Sequence, residues 1–216
     1  MVGADFPATH RWPVSLRSGE VVLRPLTKRD EVVWEAVRIA NQAWTGPWDA
    51  TLPPETSTGA LPFPSWLRRS TKQAKEAAAL PWALAHDPGW PEEPRTLEHA
   101  RLIGQVTVSG IVYGSARSAS IGYWIDRHYA GRGMVPRGVA LAADYCWQVL
   151  QLHRVEIAIR PENAPSLRVV EKLGFREEGL RPRFLHIDGD WRDHRVFALN
   201  REEVPAGGLI GRLSPA

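Results

Sequence analysis

Residues 121–174 constrain the fold more than any other part of the chain, because their elements follow one another in a fixed order. An apolar strand at 121–125 is followed by a glycine-containing loop and by a helix that runs to about Leu150. A second strand at 154–160 alternates apolar and polar residues, and a second helix follows it with Asn163 as its N-cap. Helices that connect neighbouring strands are typical of a mixed α/β sheet.

The flanking segments extend this sheet. Strands are predicted at 21–25, 82–85, 102–108, 184–187 and 195–199, and helices from 27–30 to Ala40 and over 66–79. The last two strands bracket Asp188-Gly189, which is the two-residue turn signal of a β-hairpin. Strands alternating with helices and then a hairpin favour one α/β (α+β) domain, and a length of 216 residues suits it.

Three segments differ in composition from this core. Residues 1–18 combine prolines with charged groups and predict a flexible leader, and residues 201–216 predict a C-terminal tail. Residues 41–95 are rich in Trp and Pro, and we interpret them as an insertion that contains a helix.

The bulk composition limits where such a chain works and what it binds. It has no run of about 18 apolar residues, which argues against a transmembrane helix, and residues 1–15 lack the apolar core of a signal peptide. Cys146 is the single cysteine, so an internal disulfide or a cysteine-based metal cluster is excluded. We therefore expect a cytoplasmic location. A formal charge of +3 suits an anionic ligand, is too small to predict nucleic-acid binding, and also fits a solvated arginine-rich surface.

The glycine loop has the composition of a phosphate cradle. Gly131 and Gly133 allow the backbone to turn its N–H groups toward one point, and the helix that begins near Val135 directs its positive end there. A dinucleotide fingerprint does not fit, because Pro136 stands where its third glycine is needed, and the chain has no Gly-Lys-Ser/Thr phosphate loop. A tight turn without a ligand remains the alternative.

Several further motifs follow the loop in order: Arg160-Pro-Glu-Asn163, Ser166 and Glu171-Lys-Leu-Gly-Phe175. This succession resembles the GNAT acetyltransferase superfamily. The closing segment 187–199 and the opening Val22-Leu-Arg-Pro-Leu26 are similar to the RimJ/RimL branch, which acetylates N-terminal amines of ribosomal proteins. The resemblance covers about residues 19–200. It implies a GNAT fold, with a mixed central sheet, a splayed pair of parallel strands and helices on both faces.

The resemblance also implies acetyl-CoA as co-substrate and a set of residues that hold it. Backbone amides of the loop would bind the pyrophosphate, and their residues are Gly131, Arg132, Gly133, Met134 and Val135. The preceding strand, with Tyr123, Trp124 and Ile125, would bind the pantetheine arm. The side-chain amide of Asn163, after the second strand, would bind the same arm. Ala130 and Val135 depart from the family's loop pattern, which weakens a side-chain contact and leaves the backbone cradle intact.

The catalytic groups are less completely specified. Ser166 matches the serine of RimJ/RimL relatives and would protonate or hydrogen-bond the leaving thiolate of CoA. The tyrosine that other GNAT members use is Val170 here, and the glutamate of some N-terminal acetyltransferases is Ala158, which leaves Glu156, on the same face of the strand, as the candidate base. His186 and Asp188 stand at the hairpin, where the family's acceptor groove would lie.

These residues predict direct transfer of an acetyl group from acetyl-CoA to a primary amine, in a ternary complex. The acceptor expected from the resemblance is the N-terminal α-amine of a ribosomal or other protein, and residues 41–95 would form part of its groove. A small amine such as an amino sugar, polyamine or antibiotic is the alternative acceptor. A non-catalytic CoA-binding sensor and an RNA- or ribosome-binding protein are the alternatives from other classes. No metal, membrane contact or direct nucleic-acid binding is expected, and Cys146 is interpreted as a core residue.

Overall fold

The computed structural model describes residues 9–54, 59, 61–94 and 96–213. Within these residues eight strands form one sheet in the order β1-β2-β3-β4-β5-β6-β8-β7. The strands are β1 (Leu16–Ser18), β2 (Val21–Pro25), β3 (Leu80–His86), β4 (Arg101–Val112), β5 (Ser118–Ile125), β6 (Arg154–Ile159), β7 (Arg176–Ile187) and β8 (Asp190–Asn200). Neighbouring strands are antiparallel except for β5 and β6, which are parallel. This is the mixed sheet that the sequence predicts.

The parallel pair separates half-way along its length. β5 and β6 are paired from Ser118 opposite Arg154 to Ser120 opposite Glu156. Both strands then continue, β5 to Ile125 and β6 to Ile159, without pairing to each other. The predicted splay is therefore confirmed, and it opens a gap in the middle of the sheet.

Helices cover both faces of the sheet, as the resemblance implies. They are α1 (Glu31–Ala40), α2 (Gln42–Thr45), α3 (Phe63–Lys75), α4 (Met134–Gln148) and α5 (Ala164–Leu173). The larger apolar cluster lies under α4 and α5 and includes Val139, Cys146 and Leu173. A smaller apolar cluster contains strand residues that are not part of the first cluster, and it includes Trp34 of α1 and Phe63 of α3. Alternate strand residues face opposite sides, which is why one sheet supports two cores.

The expected leader and tail are partly built into the fold. His10 is buried, and its ring hydrogen-bonds the Tyr145 hydroxyl at 2.8 Å and the Ala74 carbonyl at 2.7 Å. β1 belongs to the sheet, so the prediction of a flexible leader is wrong for residues 9–18. In the tail, Asp144 accepts the backbone N–H groups of Leu209 and Ile210 at 2.6 and 3.1 Å. Residues 1–8 and 214–216 lie outside the described residues.

Residues 41–95 are a composite rather than one insertion. They include α2, α3 and also β3, which lies between β2 and β4 in the sheet. The Trp and Pro residues are spread over the whole range, and β3 itself contains Pro81 and Trp82 and is buried from Leu80 to Ala85. The interpretation of the whole range as an insertion is therefore wrong, because β3 joins β1 and β2 to the rest of the sheet.

The hairpin turn is the one that the sequence predicts. Asp188 and Gly189 have φ angles of +51° and +79° and join β7 to β8. Positive φ at both central positions is the geometry of a type I′ turn, which Asp-Gly adopts readily. The strands are longer than the apolar runs suggested, because the first half of β7 is exposed on both faces.

Among the described residues, no helix combines the length and the apolar character needed to cross a bilayer.

Candidate active site

Two clefts meet at the gap between β5 and β6. The first, called here the glycine-loop cleft, has a volume of about 310 Å³. It lies on the side of α4 and α5, and its lining includes Ala130, Gly131, Gly133, Met134, Val135, Pro136, Arg168 and Lys172. The second, the strand cleft, measures about 300 Å³ and is lined by β4, β5, β6 and the hairpin. Trp48, Asp49, Tyr123, Trp124, Asn163 and Ser166 line both.

The glycine-loop cleft contains a row of free backbone amides. Gly131 and Gly133 have φ angles of +77° and +76°, and Gly133 is the N-cap of α4. In the described part of the chain, none of the amides from Gly131 to Val135 donates a hydrogen bond. Unpaired N–H groups at a helix N-terminus form an anion site. Arg168 and Lys172, which the sequence analysis did not select, add positive side chains to the same cleft.

The splay exposes one backbone edge of β5. Tyr123, Trp124 and Ile125 pair with β4 on one side, and no strand of the described residues lies beside them on the other. The indole Nε1 of Trp44 donates to the Ile125 carbonyl at 3.1 Å. An extended ligand arm can therefore pair with this edge as an added strand would.

The segment from Asn41 to Thr51 closes the open end of the gap. On one side Trp44 is bonded to Ile125 of β5. On the other side the Arg160 guanidinium donates to the Pro47 carbonyl at 2.7 Å and lies over the Trp48 ring at 5.4 Å. The bridged segment makes Trp48 and Asp49 common walls of both clefts. This part of the Trp/Pro-rich region thus lies at the expected groove.

Ser166 sits where the two clefts join. Its backbone N–H donates to the Asn163 side chain at 3.2 Å, so Asn163 is the N-cap of α5 as predicted. Its hydroxyl is 2.6 Å from the Tyr123 hydroxyl. Burial raises the pKa of Tyr123 to about 12, against a smaller opposing effect of the bond to Ser166. Tyr123 therefore stays protonated at neutral pH and can donate to the serine oxygen.

Glu156 does not reach either cleft. It lies on the same face of β6 as Ala158, but at the level where β5 and β6 are still paired. Its carboxylate is held by Arg154 at 2.8 Å and by Arg181 at 3.2 Å. Ala158 lines the strand cleft and has no proton-accepting side chain. The structure therefore does not support Glu156 as the base.

His186 and Asp188 also lie away from the cleft walls. Leu185 and Ile187 of β7 line the strand cleft, so strand alternation turns His186 to the other side. There its Nδ1 hydrogen-bonds the Thr51 hydroxyl at 2.7 Å. Asp188 is exposed in the hairpin turn. The side chain of Arg132 lies over the Tyr129 ring at 5.3 Å, and Arg132 is not among the residues that line the glycine-loop cleft.

The histidine that does line the strand cleft is His194, on β8. Its side chain is buried, and its Nδ1 lies 2.9 Å from the Arg192 carbonyl. No sequence motif had pointed to His194. The alternation His194, Val196, Ala198 was a usable signal, but the register that sets Val196 opposite Ala158 is a tertiary feature.

Cys146 is buried in the larger core, and burial raises the pKa of its thiol. A buried, protonated thiol is a poor nucleophile, in agreement with direct transfer. The described residues contain no group of three or more His, Cys, Asp or Glu side chains placed to hold a metal ion.

A mixed sheet with a splayed parallel pair, and a glycine loop that opens a helix beside the gap, define the fold class of this protein. Residues 20–176 match the model of the acetyltransferase (GNAT) domain. The chain belongs to the GNAT acetyltransferase family.

The relatives agree with the RimJ/RimL branch. The chain is 40% identical over 104 residues to the probable N-acetyltransferase YjcK of Bacillus subtilis, which is 48% of this chain and 58% of that protein. It is 31% identical over 110 residues to the ribosomal protein uS5-alanine N-acetyltransferase of Escherichia coli, covering 51% and 57%. The chain thus spans little more than half the length of these curated relatives.

A solved structure matches over nearly the whole chain. Mycobacterium smegmatis RimJ, solved in complex with CoA-disulfide, superposes with a TM-score of 0.81 and 33% identity. The match covers 94% of each chain. The resemblance to the RimJ/RimL branch is therefore confirmed.

Proposed function

We propose that this protein transfers the acetyl group of acetyl-CoA to the N-terminal α-amine of a protein, by direct attack in a ternary complex. The observation that carries the proposal is the row of unpaired amides from Gly131 to Val135 beside the splayed strands. Mycobacterium smegmatis RimJ, whose fold superposes on this chain, was solved with a CoA derivative. The ribosomal protein acetylated by the Escherichia coli relative suggests a ribosomal protein as partner.

The two clefts divide the work between co-substrate and acceptor. The pyrophosphate of acetyl-CoA is held by the amides of Gly131, Arg132, Gly133, Met134 and Val135, and the pantetheine arm lies along Tyr123, Trp124 and Ile125 toward Asn163. The thioester then reaches Ser166, where the clefts join. A free N–H of the β5 edge polarises the thioester carbonyl as negative charge develops on its oxygen. The amine approaches from the strand cleft.

The lining of the strand cleft favours an α-amine over a polyamine. Asp49 is the one carboxylate among the described lining residues, and it is 2.7 Å from the Arg38 guanidinium. A polyamine brings a second ammonium group that needs a carboxylate partner when it is desolvated. The cleft is instead lined by small or apolar residues at Gly122, Ala158 and Ile187. These suit a neutral residue at a chain terminus.

An acceptor panel tests the proposal. We expect CoA thiol release with a peptide that begins in alanine, and none with the same peptide blocked at its N-terminus. Spermidine and an amino sugar are the small-amine arms, and neither should match the free peptide. Release with a small amine alone would refute the protein acceptor, and CoA binding without release in any arm would support the sensor.

Gly133→Val should weaken CoA binding about 10-fold. A β-branched residue at positive φ costs about 1–3 kcal/mol, and relieving that strain turns the loop amides away from the ligand. Isothermal titration with CoA measures the effect. Gly114→Val is the matched control, because Gly114 has a φ of +73° and an equally open surrounding but lies in a turn remote from the cradle. Equal loss of CoA affinity in both variants would contradict the cradle.

Cytoplasmic location and the absence of direct nucleic-acid binding stay predictions. Cell fractionation tests the first. Retention on RNA that weakens steeply with salt would contradict the second.

A further inference from the structure

His194 lines the strand cleft, and one of its two ring nitrogens is free to accept a proton. Its Nδ1 lies 2.9 Å from the Arg192 carbonyl, and a carbonyl oxygen only accepts. Nδ1 must therefore carry the hydrogen, which leaves Nε2 with its lone pair in the neutral ring. In the described part of the chain Nε2 has no hydrogen-bond partner. The Phe184 ring packs edge-on against the imidazole at 5.8 Å and limits its rotation.

The surroundings keep this imidazole neutral. Burial lowers the pKa of His194 below its ordinary value of 6.5, and the Arg160 guanidinium lowers it further. The hydrogen bond to Arg192 and the charges of Asp193 and Glu162 act in the opposite direction but do not outweigh the burial. From the other packed elements, Arg181 of β7 is bound to Glu156 and Asp49 across the cleft is bound to Arg38.

We propose that Nε2 of His194 is the proton acceptor of the transfer reaction, an inference that rests on the acetyl transfer proposed above. The amine nitrogen forms a bond to the thioester carbonyl carbon and becomes a positively charged ammonium. Its proton passes to Nε2 of His194. The C–S bond then breaks, the thiolate takes a proton from Ser166, and Tyr123 re-protonates the serine oxygen. Solvent restores Tyr123 and removes the proton from His194.

A weakly basic imidazole is sufficient for this step. The ammonium of the tetrahedral intermediate is far more acidic than the free α-ammonium, whose pKa is near 8, because the adjacent carbon carries electronegative substituents. A base with a lowered pKa is also unprotonated throughout the neutral range, so it is always ready to accept. His194 thus takes the role for which the sequence analysis considered Glu156.

The test uses His194→Asn and His194→Gln in the full chain. The Asn amide can retain the donor to the Arg192 carbonyl, and the Gln amide places a polar but non-basic group near Nε2. We expect the single-turnover rate of transfer, measured at saturating acetyl-CoA and acceptor, to fall about 100-fold at pH 7.5. The Kd for CoA should be unchanged. His153→Asn is the control, since His153 is an exposed surface residue paired with Glu202, and its rate should equal that of the unmodified protein.

The pH profile separates proton transfer from a packing role. In the unmodified protein the rate should fall with unit slope as the pH drops through the lowered pKa of His194, because protonation removes the lone pair. Both variants should lack this acidic limb. A variant rate that is unchanged, or a lower rate that keeps the limb, would overturn the proposal.

If neither variant folds, the unmodified protein still gives an answer. The acidic limb must coincide with the titration of the His194 ring protons in the NMR spectrum, and a limb one pH unit or more away from it refutes the proton transfer. The acceptor is the compound that the panel identifies. Transfer to a small amine alone overturns the protein acceptor but leaves His194 testable on that amine, and no transfer at all overturns both proposals.

Discussion

We expect Ser166→Ala to lower the turnover number about 100-fold and to leave the dissociation constant of CoA unchanged. The hydroxyl lies at the junction of the two clefts and is 2.6 Å from the Tyr123 hydroxyl. Removing it takes away the proton donor for the leaving thiolate. The backbone cradle at Gly131 and Gly133 is untouched, so the ground-state affinity for CoA stays the same.

Steady-state kinetics and calorimetric titration of CoA measure the two quantities separately. Ser65→Ala is a matched control, because Ser65 occupies the same third position of α3 that Ser166 occupies in α5, again directly after a proline. It lines neither cleft and should leave turnover unchanged. Tyr123→Phe should lower turnover less than Ser166→Ala, since water can still re-protonate the serine. Loss of CoA affinity in Ser166→Ala at constant turnover would refute the role assigned to the hydroxyl.

We expect Arg24→Met to lower the free energy of unfolding by about 3–5 kcal/mol at neutral pH. The Arg24 guanidinium donates to both carboxylate oxygens of Asp30 at 2.9 and 2.6 Å, and the two side chains are only 5% and 9% exposed. Methionine fills the volume but leaves the Asp30 carboxylate buried without its counter-charge. That loss is large against a typical domain stability of about 5–15 kcal/mol.

Urea unfolding at several pH values measures this effect and its sign. Burial alone would raise the pKa of Asp30, but its hydrogen bonds with Arg24 and Thr27 and the charge of Arg24 hold it below the ordinary 3.8. A lowered carboxyl pKa means that the stabilisation is complete at neutral pH and is lost as the pH falls through the folded-state value. The difference between Arg24→Met and the unmodified protein should therefore shrink in acid.

Two control variants test whether the loss of stability in Arg24→Met comes from the burial of the ion pair. Lys72→Met removes an exposed partner of Glu76 and should change stability by less than about 1 kcal/mol. Adding Asp30→Leu to Arg24→Met should recover stability except for about 1 kcal/mol, because Asp30 also caps the Thr27 backbone N–H at 2.7 Å. An equal loss in Lys72→Met would contradict the assignment to the buried ion pair.

Local sequence patterns are sufficient to predict the elements around the proposed co-substrate site. Gly131 and Gly133 are at positive φ as their residue type suggests, Asn163 caps α5, and Asp188-Gly189 forms the two-residue turn. Each of these depends on residues adjacent in the chain, whose conformational preferences act without the rest of the fold. The resemblance to GNAT proteins could be recognised from the sequence for the same reason, because its motifs are short and follow one another in order.

Long-range contacts decided the remaining features. Residues 9–18 look like a polar leader, yet His10 is buried because Tyr145 and Ala74, far away in the chain, satisfy its ring nitrogens. Likewise, the two N–H groups that bind Asp144 hold the tail in place. The composition of a segment does not show which distant residues its side chains contact.

The sequence by itself determined the mixed α/β class, the glycine loop and the family. The tertiary structure alone decided which side chains face the acceptor. The half-pairing of β5 and β6 created the gap, and the register of β6 on β8 brought His194 to its wall while strand alternation turned His186 away. Sequence motifs indicate local backbone geometry. The face of the sheet on which a side chain lies depends instead on how distant strands pair, because a shift of the register by one residue moves every side chain of a strand to the opposite face.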